Sequence, residues 1–233
     1  MRFEEHASEK AKRRIKTFVF LIFLFSLLVM ILRYPLTLPY FEINNVRVEG
    51  ENRLSEAIVL QWANVPPREC IFEINLRKIA QRLELKPRIK RAEVKRRLPS
   101  TVTIHIEERM PFVYLNYKNL LWEVDEEGVI LGEAEEAQNL PVITGVSSFS
   151  ETEKIKQGLK IVQISKRVGV SFSEINVQGK MTGYLKGGIK VYLGDRLDYL
   201  SYLPLILADI KKEGKKIEYI DLRFNGQIVV KPK

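Results

Sequence analysis

The sequence predicts an α+β protein carried by one N-terminal transmembrane helix, on three observations. A nearly uninterrupted apolar run occupies positions 18–32. Beyond it, short β-branched runs alternate with stretches of helical period. Glycine, proline and asparagine punctuate these at intervals suited to strands and short helices. Apolar residues make up 45% and charged residues 29%, which is globular rather than disordered usage, and 233 residues allow one large domain or two small ones.

The apolar run comes first. From Phe18 to Leu32 only Ser26 is polar, so no face of this helix can be solvated. From Thr17 to Leu32 a rise of 1.5 Å per residue covers about 24 Å, short of a ~30 Å hydrocarbon core. Lys16 and Arg33 can snorkel across the difference, Tyr34 and Tyr40 suit the interface, and Pro35 and Pro39 stop the helix beyond it. Residues 33–41 offer no small-x-small cleavage site, so the segment is expected to remain as an uncleaved anchor over 17–34. Phe18, Leu21, Leu24, Leu28 and Ile31 are its expected lipid-facing residues. Arg2, Lys10, Lys12, Arg13, Arg14 and Lys16 precede it, which holds the tail 1–16 in the cytoplasm and sends the rest across.

With 1–33 set aside, the remaining 31 Lys+Arg and 26 Asp+Glu leave +5 of the total +9, so the high isoelectric point says little about nucleic acid. A single cysteine, Cys70, excludes an internal disulfide.

The external part opens with a strand-like run over 43–48 closed by Gly50. Ser55 and Asn75 are placed to cap two short helices, and the pairs Leu54 with Val59 and Ile74 with Ile79 are placed to staple them. Leu76, Ile79, Ala80 and Leu83 form one apolar stripe. The sheet beneath it is expected over 92–98 and 101–108, with Val102, Ile104 and Ile106 on one face and Thr103, His105 and Glu107 on the other. The order is β-α-α-β-β.

A second block reads as mixed α/β. Strands are expected at 111–117, 120–124, 129–131, 175–177, 183–185 and 189–193. Ser150 and Glu153 form a capping-box pattern at the start of one helix. Another helix runs over about 198–212, with Tyr199, Tyr202, Leu203, Ile206, Leu207 and Ile210 on one face and Pro204 demanding a kink or a later start. Residues 220–224 and 227–231 flank Asn225-Gly226, a strong hairpin signal. A two-residue turn would pair Phe224 with Gln227 and Leu222 with Val229, pointing the N–H groups of Ile228 and Val230 away from the hairpin.

Catalysis needs convergent acids, bases or nucleophiles, and none converge here. His6 lies in the tail and His105 on a polar strand face; two histidines and one cysteine without close pairing make no zinc site. Cys70 reads as a small apolar loop residue. No cofactor, metal or catalytic residue is therefore expected. The basic run 86–97 reads equally as a solvated hairpin face or as a positive surface for anionic lipid or an acidic protein. It lacks the interleaved aromatics of a nucleic-acid site.

The β-α-α-β-β order, the turn at 97–101, the exit Glu108, Arg109 and Pro111, and the late pair of segments 221–224 and 227–230 resemble the FtsQ/DivIB family of bacterial cell-division proteins. That resemblance implies a POTRA domain over 41–109, the family's β-domain over 110–233, and a location in the inner (plasma) membrane at the division septum. It also implies a non-enzymatic scaffold of the divisome that binds FtsB/DivIC and FtsL and links them to septal peptidoglycan synthesis. Asp221, Arg223, Gln227, Ile228, Val229 and Val230 are the expected partner-binding residues. The sequence stops three residues after Val230, without the further tail some members carry. The competing reading is a POTRA-type chaperone or secretion component that takes unfolded chains at a free sheet edge.

Overall fold

A computed structural model describes residues 2–33, 39–136, 138–194, 196–224 and 226–233, with the side chains of 2–14, 32 and 33 left aside. Tyr34 and Pro35 of the expected membrane interface, and Asn225 of the expected turn, lie outside the described residues. Helix α1 runs Arg2–Arg33. Among the described residues no helix is long and apolar enough to cross a membrane, so the fold alone does not establish the expected anchor. The chain divides into two units, Met1–Glu108 and Arg109–Lys233.

In the first unit, β1 (Asn45–Glu49) is followed by α2 (Glu56–Ala63), α3 (Leu76–Glu84), β2 (Ile89–Arg97) and β3 (Thr101–Glu108). The sheet order is β1-β3-β2, with β1 parallel and β2 antiparallel to β3. Both caps form: Ser55 Oγ accepts from Ile58 N at 3.4 Å, and Asn75 Oδ1 from Lys78 N at 3.1 Å. Leu54, Val59, Ile74 and Ile79 are all buried in one core, so the apolar residues flanking each cap hold the chain's approach to its helix. Leu83 and the strand residues Val102, Ile104 and Ile106 complete that core, whereas His105 and Glu107 are exposed. Strand β2 begins at Ile89, earlier than expected, because Ile89 is buried and a register shift between Ile89 and Arg91 admits it to the ladder.

The unit is closed by its last residue. The Glu108 carboxylate accepts from the backbone N–H groups of Asn52 (2.8 Å), Arg53 (3.0 Å) and Leu54 (3.0 Å), gathering the loop between β1 and α2 onto the end of β3.

The second unit is one nine-stranded sheet with helices against one face. Its strands are β4 (Val113–Tyr117), β5 (Leu120–Val124), β6 (Ile130–Glu133), β7 (Val142–Thr144), β8 (Phe172–Asn176), β9 (Thr182–Leu185), β10 (Lys190–Tyr192), β11 (Ile217–Asp221) and β12 (Val229–Pro232). They lie in the order β12-β11-β10-β9-β8-β7-β4-β5-β6. Helix α4 (Thr152–Arg167) connects the parallel pair β7 and β8; a 3-10 turn (Leu197–Tyr202) and α5 (Leu203–Glu213) connect the parallel pair β10 and β11. Ile155, Leu159, Val162, Leu200 and Leu203 from these helices share a core with Ile143, Ile175, Val191 and Ile220 from the sheet. Both crossovers lie on one face, and among the described residues no helix covers the opposite face of β7 to β12.

Two expectations change here, and one open alternative is decided. The capping box at Ser150 does not form: α4 starts at Thr152 after Glu151, with no side-chain cap bond. Ser150 N is taken by Ser148 Oγ at 3.2 Å, the two serine hydroxyls meet at 2.8 Å, and the Glu153 carboxylate pairs with Lys156 at 3.3 Å, so local side-chain bonds compete with the cap. Pro204 marks a later start rather than a kink, standing in the first turn of α5 where its missing N–H has no helical partner to lose. Tyr202, expected on the apolar face, is half exposed.

Arg109 opens this unit as Glu108 closes the other. Its guanidinium donates to Asp125 and, at 2.6 Å, to Glu127, while Asp125 Oδ1 accepts from the N–H groups of Glu127 (3.0 Å) and Val129 (2.7 Å). One cation thus holds the turn between β5 and β6.

Candidate partner-binding edge

The last strand is the edge of the nine-stranded sheet, and its register decides what it offers. β11 pairs with β12 through Tyr219 with Lys231, Ile220 with Val230 and Asp221 with Val229. This is one residue away from the expected pairing of Leu222 with Val229. Leu222 N instead donates to Tyr192 O of β10 at 3.0 Å. Hydrophobic parity is the reason: the expected register would put Ile228 and Val230 on the face opposite Ile220 and Leu222. In the observed register all four side chains pack on the core. Burying two more apolar residues outweighs the preference of Asn-Gly for a two-residue turn.

The slip leaves the direction of the edge donors unchanged. Because Leu222 N–H points to β10, the alternation along β11 points Asp221 and Tyr219 to β12, so Val229 and Lys231 face inward. Lys233 N, donating to Lys216 O at 2.9 Å, continues that alternation. The N–H groups of Ile228 and Val230 therefore point away from the sheet, and Pro232 takes the next outward position, where a missing donor costs no ladder bond.

Side chains rigidify this end. Asp221, 3% exposed, accepts from Arg223 N (3.0 Å) and Nε (2.8 Å) and pairs with Arg223 Nη2. The guanidinium holds the Asp221 carboxyl below the usual carboxylate range, and Asp221 in turn raises Arg223. Arg223 also lies 4.6 Å from the Tyr192 ring, which meets Tyr219 edge-on at 5.4 Å. A Cβ on Gly194 would lie 3.1 Å from Arg223 Cα, so a small residue lets the β10 exit pass the β11 exit. Gly226 N donates to Tyr199 Oη at 2.8 Å, tying the connection back to the 3-10 turn.

The structure thus joins Asp221, Arg223 and Val229 at one corner. It leaves Gln227 exposed before the strand and gives Ile228 and Val230 core-facing side chains with outward backbone. Sequence reading missed the facing row Lys231, Tyr219, Lys190, Tyr184 and Glu174, which are successive cross-strand partners from β12 to β8. Lys190 is raised by the hydroxyls of Tyr192 and Tyr184, and Lys231 by Glu218 at 2.9 Å. The alternation of Glu218, Tyr219, Ile220 and Asp221 was the available signal for this row.

Two family models match the chain: a POTRA domain of FtsQ type over residues 41–109, and the C-terminal domain of cell division protein FtsQ/DivIB over residues 113–223. The chain belongs to the FtsQ/DivIB family of cell-division proteins. Among its relatives, cell division protein FtsQ of Geobacter sp. (strain M21) is 27% identical over 207 residues, 80% of this chain and 74% of that protein. Cell division protein DivIB of Geobacillus kaustophilus (strain HTA426) is 23% identical over 230 residues, 94% and 86% of the two chains. DivIB of Clostridium botulinum (strain Hall) is 26% identical over 241 residues, 95% and 93%. Membership of this family makes the chain a cell-division protein with a POTRA domain. Among the described residues no group of three His, Cys, Asp or Glu side chains could hold a metal ion.

Proposed function

We propose that this chain is a non-enzymatic, membrane-anchored scaffold of the division complex that receives a strand of FtsB/DivIC on the outer side of β12. Through that contact it holds FtsB/DivIC and FtsL and links them to septal peptidoglycan synthesis. The observation that carries the reading is the edge itself: β12 ends the sheet order, with the N–H groups of Ile228 and Val230 directed outward. Added strands gain affinity from main-chain bonds and specificity from alternate side chains, and here Val229, Arg223 and Gln227 are the exposed ones.

The anchor belongs to the same proposal. Phe18, Leu21, Leu24, Leu28 and Ile31 on α1 are 49–66% exposed, and this all-round apolar surface is covered when the helix lies in lipid. The basic tail then stays in the cytoplasm and residues 41–233 lie outside, at the septum. The chaperone reading is weaker because the free side of β2 is partly stoppered: Glu84 Oε1 accepts from Ala92 N at 3.0 Å.

Proline scanning tests the edge. Ile228→Pro and Val230→Pro remove outward donors and are expected to abolish co-purification of FtsB/DivIC while the full chain stays folded. Val229→Pro removes an inward donor and is expected to unpair the hairpin. Folded 228 and 230 variants that retain partner affinity would refute the assignment.

A further inference from the structure

The basic run 86–97 is largely occupied within its own unit. Lys86 lies over the Trp62 ring at 5.3 Å, Lys90 pairs with Glu107 and Lys95 with Glu93, and Arg96 donates to the carbonyls of Ile71 (2.6 Å) and Ile74 (2.8 Å). Arg97 differs: it is exposed, and its side chain has no ion pair or hydrogen bond among the described residues. Arg47, from outside the run, is in the same condition.

The ladder brings these two together. On the outer face of the sheet one cross-strand row is Asn45, Thr101 and Arg97; the next is Arg47, Thr103 and Lys95; the third is Glu49, His105 and Glu93. These three rows run from cations at the end where β1 begins to acids, and the next row is mixed, with Arg91 opposite Glu107. Two apolar side chains are left uncovered at the end where β1 begins. Leu98, in the turn next to Arg97, is 58% exposed, and Tyr40, on the segment leading into β1, is 65% exposed. An exposed aromatic and an exposed aliphatic side chain at the same end as arginines without ion pairs is the composition of a surface that seats at a bilayer interface.

We infer that this end of the first unit docks on a membrane surface through anionic phospholipid headgroups. The inference rests on the anchor reading. If α1 is in the bilayer, the twelve residue steps from Arg33 to Asn45 can span at most about 40 Å, and the end of the sheet that this tether leads into is the cationic one. A tethered surface meets headgroups at high effective concentration, so weak contacts suffice. Arg47 and Arg97 engage phosphate, while Leu98 and Tyr40 enter the headgroup layer.

The test uses the full chain with Cys70→Ser, labelled with an environment-sensitive fluorophore at Leu98→Cys. A control carries the label at Leu85→Cys, an 81% exposed site before the start of β2, at the opposite end of the sheet, where Lys86 and Arg88 give it basic neighbours of its own. Each protein is reconstituted into phosphatidylcholine vesicles, with or without phosphatidylglycerol, that carry a headgroup-level quencher. Quenching at 98 that exceeds quenching at 85, only in anionic vesicles, supports docking. Each basic residue near an anionic surface is worth a factor of about five, so Arg47→Glu with Arg97→Glu lowers the docked-to-undocked ratio at least about thirtyfold. High salt on the unmodified surface does the same without a substitution. Equal quenching at the two sites overturns the inference, as does quenching at 98 that is indifferent to salt and to the double variant. If the double variant impairs division while quenching is unchanged, the arginines serve an acidic protein and the lipid assignment falls. Failure of the chain to float with neutral vesicles refutes the anchor alone; salt-sensitive flotation with anionic vesicles still upholds docking, and none with either kind refutes both.

Discussion

Leu83→Ala offers a direct measure of the first unit's core. Leu83 is fully buried among Ile79, Val102, Ile104 and Ile106, so truncation removes three carbons' worth of contacts and leaves a cavity that a short helix packed on a sheet closes only in part. The expected loss is about 2–5 kcal/mol. With a urea dependence of about 1 kcal/mol per molar for a small unit, the midpoint falls by about 2–5 M. The two tryptophans lie in different units, so Trp122→Phe leaves Trp62, half-buried against this core, as sole reporter in urea titrations of the full chain in mild detergent. His105→Ala is the paired control. Its side chain stands on the opposite face of the same strand, exposed, and its removal is expected to move stability by less than about 0.5 kcal/mol. Comparable midpoint shifts for the two variants would refute the assignment of faces.

The remaining expectations concern topology, the clamp at Glu108 and acid sensitivity. A reporter active only outside the cytoplasm, fused after Lys233, should be active, with the chain at its full mass; cytoplasmic activity or a mature start near residue 40 contradicts the anchor. Glu108→Ala should cost about 1–2 kcal/mol and speed hydrogen exchange at Asn52, Arg53 and Leu54, whose donors it releases to water; unchanged exchange there would show that the loop holds itself. Asp221 is depressed by Arg223, so its contribution is present above the unfolded carboxyl value of about 3.9 and is lost as pH falls through the lower folded value. Arg223→Ala should therefore flatten the acid limb of stability measured between pH 5 and 2, and an undiminished limb would place the sensitivity elsewhere.

Local rules carried the first unit almost entirely. Its caps, apolar stripe and alternating strand depend on neighbours within a few residues, and Ser55, Asn75, Ile79 and Ile104 could be read without knowing the rest. The second unit resisted for the opposite reason. Strand β7 has three residues, too few for a period, and it exists because β4 and β8 hold it on both sides in parallel. The last hairpin set a local turn preference against the burial of Ile228 and Val230, and a sheet whose core comes from α5 and β10 decided the matter from a distance. Ser150 shows the same contest at smaller scale, with Ser148 and Lys156 drawing away the groups a cap would have used. Of the partner edge, donor direction was legible because Val229 faces inward under either pairing. The tyrosine and lysine row was not, because it is assembled across strands far apart in sequence.

Glu108 and Arg109 are consecutive, yet each fastens a different unit, which bears on how such chains can be recombined. A crossover between two related genes at this peptide bond would transmit each half together with its own fastener. One falling after Pro111 would draw residue 109 and Asp125 from different parents, so the cation that neutralises this 5% exposed carboxylate would no longer be inherited with it. Natural and engineered hybrids that exchange one half should therefore tolerate a seam at 108–109 better than one a few residues downstream.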